Sequence, residues 1–416
     1  MNNGFWGKLA RPIVGLSPMD GVTDAPMRFI SKKYGQPDVI YTEFVSVEGL
    51  WRIHKRGETT SKIWRDLRFD PSEKPVVAQL FGSDPDSFYE ATKIVAKMGF
   101  DGIDINMGCP SPGLEKRGGG AGLMRDFGLA HRVIEAVRKG VDDCFLDSNL
   151  AKCSAHAYLS RPDEVGTRMD MLRADSAGDS ASYENNQCIP VSVKTRTGSR
   201  APDPLWWKFL AGEELPVVAM HGRTFKQLYS GKADWDILKQ AAEMIKESGA
   251  LFLGNGEVKK ISSMDCGSKV TKCRAHAYLS RPDEVGTRMD MLCADLVGPS
   301  APISTRSLLV GGGDLEAKVS LDPFDGVLIG RAAIGNPWAL RKDGYVPSVE
   351  EKLRVAVEHA REFEKNLPGN KFEPMRKHLT WYAHGFDGAG GLRRKLVQTN
   401  SADEVEEVVE NFRKNC

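Results

Sequence analysis

Eight short runs constrain this chain more than any other feature: residues 12–19 (PIVGLSPM), 39–45 (VIYTEFV), 76–82 (VVAQLFG), 102–108 (GIDINMG), 191–197 (VSVKTRT), 216–223 (PVVAMHGR), 251–257 (LFLGNGE) and 326–332 (GVLIGRA). Most are nearly continuously apolar, the pattern of strands covered on both faces in a parallel sheet. Helical patterns lie between them, as in residues 87–99 and 129–140. Eight such units predict an α/β fold, the TIM (β/α)8 barrel, in which function collects where strands end. Those ends carry Met19, Glu43, Gln79, Asn106, Cys109, Lys194, Arg196, His221, Asn255 and Arg331. A rim this polar is hard to explain by structure alone.

The fourth run continues into a glycine-rich stretch, residues 102–124. Ile103, Ile105 and Met107 alternate with Asp104 and Asn106, and Pro110 and Pro112 cannot extend a ladder, so the strand ends beside Cys109. The thiol is thereby placed on the rim. A free cysteine is also a small buried hydrophobe, and this stretch alone leaves both readings open.

Charge excludes little: 57 Lys plus Arg oppose 56 Asp plus Glu, so no global field draws in nucleic acid, and such a partner must be met by a local basic patch. The N-terminus lacks a secretion signal's apolar core and no run approaches ~18 apolar residues, so a cytoplasmic protein outside the membrane is expected. The eight cysteines include no C-x-x-C pair and are expected to be reduced.

Two pieces interrupt the pattern. Residues 152–175 recur as 272–295 with two differences, Ser154 against Arg274 and Arg173 against Cys293. Units packed against different neighbours need different apolar residues, so this identity points to copied insertions without a packing role of their own. The insertions are expected at about 142–188, on the barrel's bottom face, and about 267–319, replacing most of the helix before the last strand. Ser160 and Asp163 form a capping-box pattern for one marginal helix. Cys153 with His156 and Cys273 with His276 each make C-x-x-H, but the insertion points lie nearly opposite around a barrel and copying explains the spacing, so no metal site is assigned.

Beyond residue 345 the chain is expected to form a second, all-helical domain (346–416), opening with Val349, Leu353, Val357 and Ala360 at helical spacing. Residues 371–395 hold six basic side chains, Lys371, Arg376, Lys377, Arg393, Arg394 and Lys395, against Glu373 and Asp387. This is either a solvated helix face or a local patch for an anionic partner.

Gly254, Gly256 and Gly330 follow the last two strands, where TIM barrels commonly expose backbone N–H groups to a phosphate, and Arg331 adds a fixed charge. With Lys194 and His221 they fit a phosphorylated cofactor, most economically FMN. Lys194 would stabilise the anion of the reduced ring, and Gln79 and Asn255 would hydrogen-bond the ring or ribityl chain. A core histidine and a lysine paired with a carboxylate are the structural alternatives.

The same residues carry a family resemblance. SPMDGVTDAPMR (17–28), AQLFG (78–82), DINMGCPSP (104–112) with KRGGGAGLM (116–124), VKTRTG (193–198), HGRTFKQLYSGKADW (221–235), GNGE (254–257), IGRAAIGNPW (329–338) and MRKHLTWYAHGFDGAGGLRRKL (375–396) resemble the tRNA-dihydrouridine synthase family over nearly everything outside the insertions. The resemblance implies FMN held by Pro18, Met19 and the adjacent Asp20, with Gln79, Lys194, His221, Asn255, Gly256, Glu257, Gly330 and Arg331. It also implies Cys109 as proton donor, NADPH (or NADH) as reductant and tRNA as substrate; the chain is expected to act as a monomer. Reducing a uracil double bond needs a hydride at one carbon and a proton at its neighbour, and a thiol opposite the flavin is a suitable acid. Asn106 and Arg196 are expected to grip the base, and Arg376, Lys377, Arg393 and Arg394 the tRNA, since a uridine in folded RNA must be extruded to reach the rim. Asp20 and Gly122 stand where the family frequently has alanine. The rival readings are an FMN barrel reducing a free pyrimidine, like dihydroorotate dehydrogenase, and an RNA-binding protein that has lost catalysis. The basic tail speaks against the first, and intact Cys109 and Lys194 against the second.

Overall fold

A computed structural model describes residues 3–150, 189–262, 307–312, 315–366 and 371–414. Its barrel strands are β1 (Ile13–Leu16), β2 (Val39–Ser46), β3 (Val76–Phe81), β4 (Gly102–Met107), β5 (Val191–Arg196), β6 (Val217–His221) and β7 (Leu251–Asn255). Then β8 (Val258–Ser262), β9 (Ser307–Gly312) and β10 (Leu315–Ser320) form a separate antiparallel sheet before β11 (Gly326–Ile329) completes the barrel. The eight barrel strands pair in parallel, and β1 joins β2 on one side and β11 on the other, closing the TIM barrel expected from the eight runs.

Two-sided burial explains the continuous apolar runs. Ile103, Ile105 and Met107 of β4 belong to the layer between strands and helices, which also holds Phe88, Ile94 and Val133. Inside the barrel Trp6, Ile13, Tyr41, Val77, Val217, Leu251 and Leu328 form a second buried cluster. Trp6 comes from a short helical turn, Gly4–Lys8, and Gly4 packs on Pro190 while Phe5 packs on Gly102. Both partners lie where strands begin, so this turn plugs the bottom and leaves the opposite mouth to polar residues.

The helices are α1 (Ala25–Ile30), α2 (Val47–Lys55), α3 (Lys62–Asp66), α4 (Pro85–Lys97), α5 (Pro112–Lys116), α6 (Phe127–Leu150), α7 (Pro204–Gly212), α8 (Trp235–Lys246), α9 (Val349–Asn366), α10 (Glu373–Tyr382), α11 (Ala389–Leu396) and α12 (Ala402–Lys414). Asp84, Asp203 and Asp234 start α4, α7 and α8 by accepting a first-turn N–H, a cap of the kind that stabilises by ~1 kcal/mol. No helix of the described residues is long and apolar enough to cross a membrane.

Residues 142–150, placed in the first insertion by the sequence, continue α6. Residues 307–312 and 315–320, placed in the second, are strands, because the apolar Leu308–Val310 run finds β8 as an antiparallel partner and Val310 is buried there. Among the described residues no helix lies between β7 and β11. The repeated segments, with Ser160, Asp163 and the C-x-x-H pairs, fall outside the described residues.

Helices α9–α12 share a core of Leu353, Ala356, Phe363, Leu379, Leu392, Val405 and Val409. The buried stripe of α9 is rotated from the expected one: Leu353 and Ala360 are buried as read, but Ala356 and Phe363 join them and Val349 is exposed. Ile30 of α1 and Trp338 enter the same cluster, so the tail is packed onto the barrel.

Candidate active site

Cys109 lies two residues beyond β4 and is almost fully buried. The turn that presents it is held by Asn106, whose Oδ1 accepts from the N–H groups of Gly108 (3.0 Å) and Cys109 (2.8 Å). The glycine-rich stretch after it packs too closely for side chains: a Cβ at Gly119 would lie 2.5 Å from the carbonyl oxygen of Gly82. Burial pushes the thiol above the ordinary cysteine value, and Asp20 adds to the rise while the Ser111 backbone, Arg196 and Lys194 oppose it. Cys109 is therefore a neutral acid at physiological pH.

A buried polar chain supports that turn. The Nδ2 of Asn106 donates to Gln79 Oε1 (2.9 Å), Gln79 Nε2 donates to Asp104 Oδ2 (2.7 Å), and Ser192 Oγ donates to Asp104 Oδ1 (2.6 Å). Gln79 is fully buried, and among the described residues one N–H on each of the Gln79 and Asn106 amides makes no hydrogen bond. Asp104 and Ser192 went unread in the sequence, although a carboxylate alternating with isoleucines on a buried strand was the available signal. Burial raises Asp104 to about 6 against the hydrogen bonds from Ser192 and Gln79 and the charge of Lys194.

On β5, Arg196 donates through Nε to Gly108 O (2.9 Å) and through Nη1 to Thr224 O (3.0 Å) and Leu228 O (3.1 Å). It ties the loops after β4 and β6 together and brings one charge to the cysteine turn. Two residues earlier, burial lowers the Lys194 ammonium to about 8, with Arg196 repelling and Asp104 attracting it. Among the described residues no direct hydrogen bond or ion pair engages that ammonium, and Asp104 acts on it only at longer range. His221, at the end of β6, has a buried Nδ1 without a hydrogen-bond partner among the described residues. Its burial, then Lys194, Arg196, Arg223 and Arg331, keep it neutral.

The β7 end is built by Asn255, whose Nδ2 donates to Leu328 O (2.8 Å) and ties β7 to β11. Gly256 follows at φ +143, a conformation L side chains rarely adopt. Glu257 accepts from Ala233 N (3.0 Å) and Arg223 Nη2 (2.7 Å) and sits 3.6 Å from Arg331. Arg223, buried in this cluster, is a second site residue the sequence reading missed. The β1 and β11 ends meet where a Cβ on Gly330 would come within 3.3 Å of Met19 Sδ, and Met19 N is held by Thr23 Oγ1 at 3.0 Å. Pro18 is partly buried beside it and Asp20 is exposed.

The expected tRNA contacts divide. Arg376 donates to Thr399 O (2.9 Å) and Asn400 Oδ1 (2.6 Å), Lys377 to Gly21 O across the barrel–tail seam, and Arg393 to Ala383 O (2.7 Å). Arg394 is exposed, with no hydrogen bond or ion pair among the described residues.

A thiol acid faces a mouth with a surplus of cations and a neutral imidazole, on a barrel with a helical tail. A sequence model of the family described as "Dihydrouridine synthase (Dus)" matches residues 15–145, 181–276 and 313–416. The chain belongs to the dihydrouridine synthase family. This family of enzymes accounts for both barrel and tail, since the match runs through both. Similar curated members are "Probable tRNA-dihydrouridine synthase" of Staphylococcus aureus (strain MRSA252), 26% identical over 99% of this chain and 96% of the relative, and the protein of the same name from Staphylococcus epidermidis (strain ATCC 35984), 27% identical over 99% and 97%. "Probable tRNA-dihydrouridine synthase 2" of Bacillus subtilis (strain 168) is 25% identical over 99% of this chain and 97% of its own length.

Proposed function

We propose that this dihydrouridine synthase reduces uridines of tRNA to 5,6-dihydrouridine, with FMN as cofactor, NADPH as reductant and Cys109 as the proton donor. The observation that carries this reading is Cys109, kept neutral on its Asn106-held turn, at a mouth where the Lys194 ammonium makes no direct hydrogen bond or ion pair among the described residues and His221 keeps a buried Nδ1 without a partner there. An anionic ring and phosphate fit that set: Lys194 neutralises the ring, His221 donates to it, and Arg331 with the Gly330 turn meets the phosphate. Met19, Pro18 and Asn255 shape the walls, and Glu257 holds Arg331 and Arg223 in place. When bound, FMN supplies the hydride for one carbon of the uracil double bond and is re-reduced by NADPH. Cys109 gives its proton to the adjacent carbon, and the thiolate is reprotonated from solvent. The free N–H of Asn106 and the remaining Nη2 of Arg196 face the base.

Residues 346–416 form the tRNA-binding domain in this reading, and Arg394 is one exposed cation there with no hydrogen bond or ion pair among the described residues. The test is flavin absorbance of the purified protein followed by mass spectrometry of nucleosides from unmodified tRNA incubated with NADPH. Yellow protein and a mass gain of two hydrogens per reduced uridine are expected. Flavin with reduction of free pyrimidines but not of tRNA would move the chain to the small-substrate reading, and tRNA binding without reduction to an RNA-binding one.

A further inference from the structure

A cavity of about 520 Å³ lies on the seam between the barrel and the tail. Arg331 and Asn336 line it from the loop after β11, Lys352 from α9, and Trp381 and His384 from the end of α10. None of its described lining residues is acidic. Lys352 and His384 have no side-chain hydrogen bond or ion pair among the described residues, and most of the Arg331 side chain is exposed, at 60%.

The aromatic wall is fixed in place. Gly335 (φ +64) approaches the tail so closely that a Cβ there would lie 2.4 Å from the Trp381 carbonyl carbon. The buried His378 ring meets the indole edge to face, centroids 5.2 Å apart at 83°. Trp381 is thus an ordered, partly buried ring beside three nitrogen-bearing cations or donors. A flat π face next to the Lys352 ammonium recognises a base and its phosphate together.

We propose that this pocket takes one unstacked nucleotide of the tRNA, other than the uridine being reduced, with its base on Trp381 and its phosphate at Lys352 and His384. The proposal rests on the tRNA-reducing function above. RNA is favoured over a free dinucleotide because one wall belongs to the tail, which also carries the exposed Arg394 and Lys395. Bound there, tRNA is anchored beside the mouth holding Cys109, and the strand is positioned for extrusion of its neighbour.

The test uses the holoenzyme with Trp381→Leu, Trp381→Phe and Lys352→Ala, their folding checked by circular dichroism. Binding of unmodified tRNA is measured at several salt concentrations, and KM for NADPH in parallel. Trp381→Leu is expected to weaken tRNA binding roughly 5- to 150-fold, the range for loss of one base–aromatic stack. Trp381→Phe, which restores a π face, should recover most of the affinity. Lys352→Ala should reduce the salt slope by about 0.7–0.9. Wild-type affinity and slope in folded Trp381→Leu and Lys352→Ala would overturn the proposal. A raised KM for NADPH with tRNA binding unchanged would overturn it in favour of the dinucleotide. A wild-type protein that binds no tRNA would instead remove the function on which the proposal rests.

Discussion

Lys194 makes the affinity for FMN depend on pH in a direction the structure dictates. Burial, with repulsion from Arg196, depresses its ammonium from the ordinary lysine value of 10.5 to about 8. A lowered lysine pKa means that the flavin-free fold favours the neutral amine, so above pH 8 the charge must be restored by proton uptake when an anion binds. Each pH unit above that point leaves roughly a tenth of the charged form, ~1.4 kcal/mol of binding free energy. Between pH 7 and 8 the Kd for reduced FMN should change little, and by pH 9 it should be about tenfold higher. Lys194→Met removes the titrating group, so its Kd should be weak and nearly flat across the same window. Anaerobic titration of reduced FMN into apoprotein, followed by absorbance at pH 7 to 9, measures both curves. A flat wild-type curve, or the same slope in Lys194→Met, would refute the assignment of this ammonium to the cofactor.

Cys109→Ala should retain FMN and lose ~10²–10⁴-fold in dihydrouridine formation, the usual loss of a positioned general acid; wild-type turnover by nucleoside mass spectrometry would exclude the thiol from the mechanism. Asn106→Ala leaves the N–H groups of Gly108 and Cys109 without their acceptor. A loss of ~1–3 kcal/mol in denaturant unfolding should accompany reduced turnover, and an unchanged midpoint would show that the turn holds itself. Arg394→Glu should flatten the salt dependence of tRNA binding by about one unit or more without lowering the melting temperature, whereas Arg376→Ala should lower it because that guanidinium pins the loop before α12. Equal melting temperatures in the two variants would contradict this division of labour.

The barrel and the place of Cys109 just past β4 were legible in the amino-acid sequence because both depend on short-range pattern. A strand covered on both faces must be apolar at nearly every position, so the eight runs mark the eight strands, with starts within one residue and ends within three. The two prolines after Cys109 end β4 by removing ladder donors, which puts the thiol on the rim whatever surrounds it. What each polar side chain does there was decided by neighbours far away in sequence. Pairing of β3 with β4 and of β4 with β5 brings Asp104 and Ser192 into the hydrogen-bonded chain that joins Gln79 to Asn106. Buried polar groups must find partners, and only the strand order says which ones are in reach. The basic tail shows the same limit: charge can be counted along a helix, but Arg376, Lys377 and Arg393 turn to backbone carbonyls brought close by packing, while Arg394 stays in solvent. The seam pocket is the extreme case. Arg331, Lys352 and Trp381 come from three segments with no shared periodicity, and their meeting follows from the docking of tail on barrel, where Gly335 lets the two backbones touch.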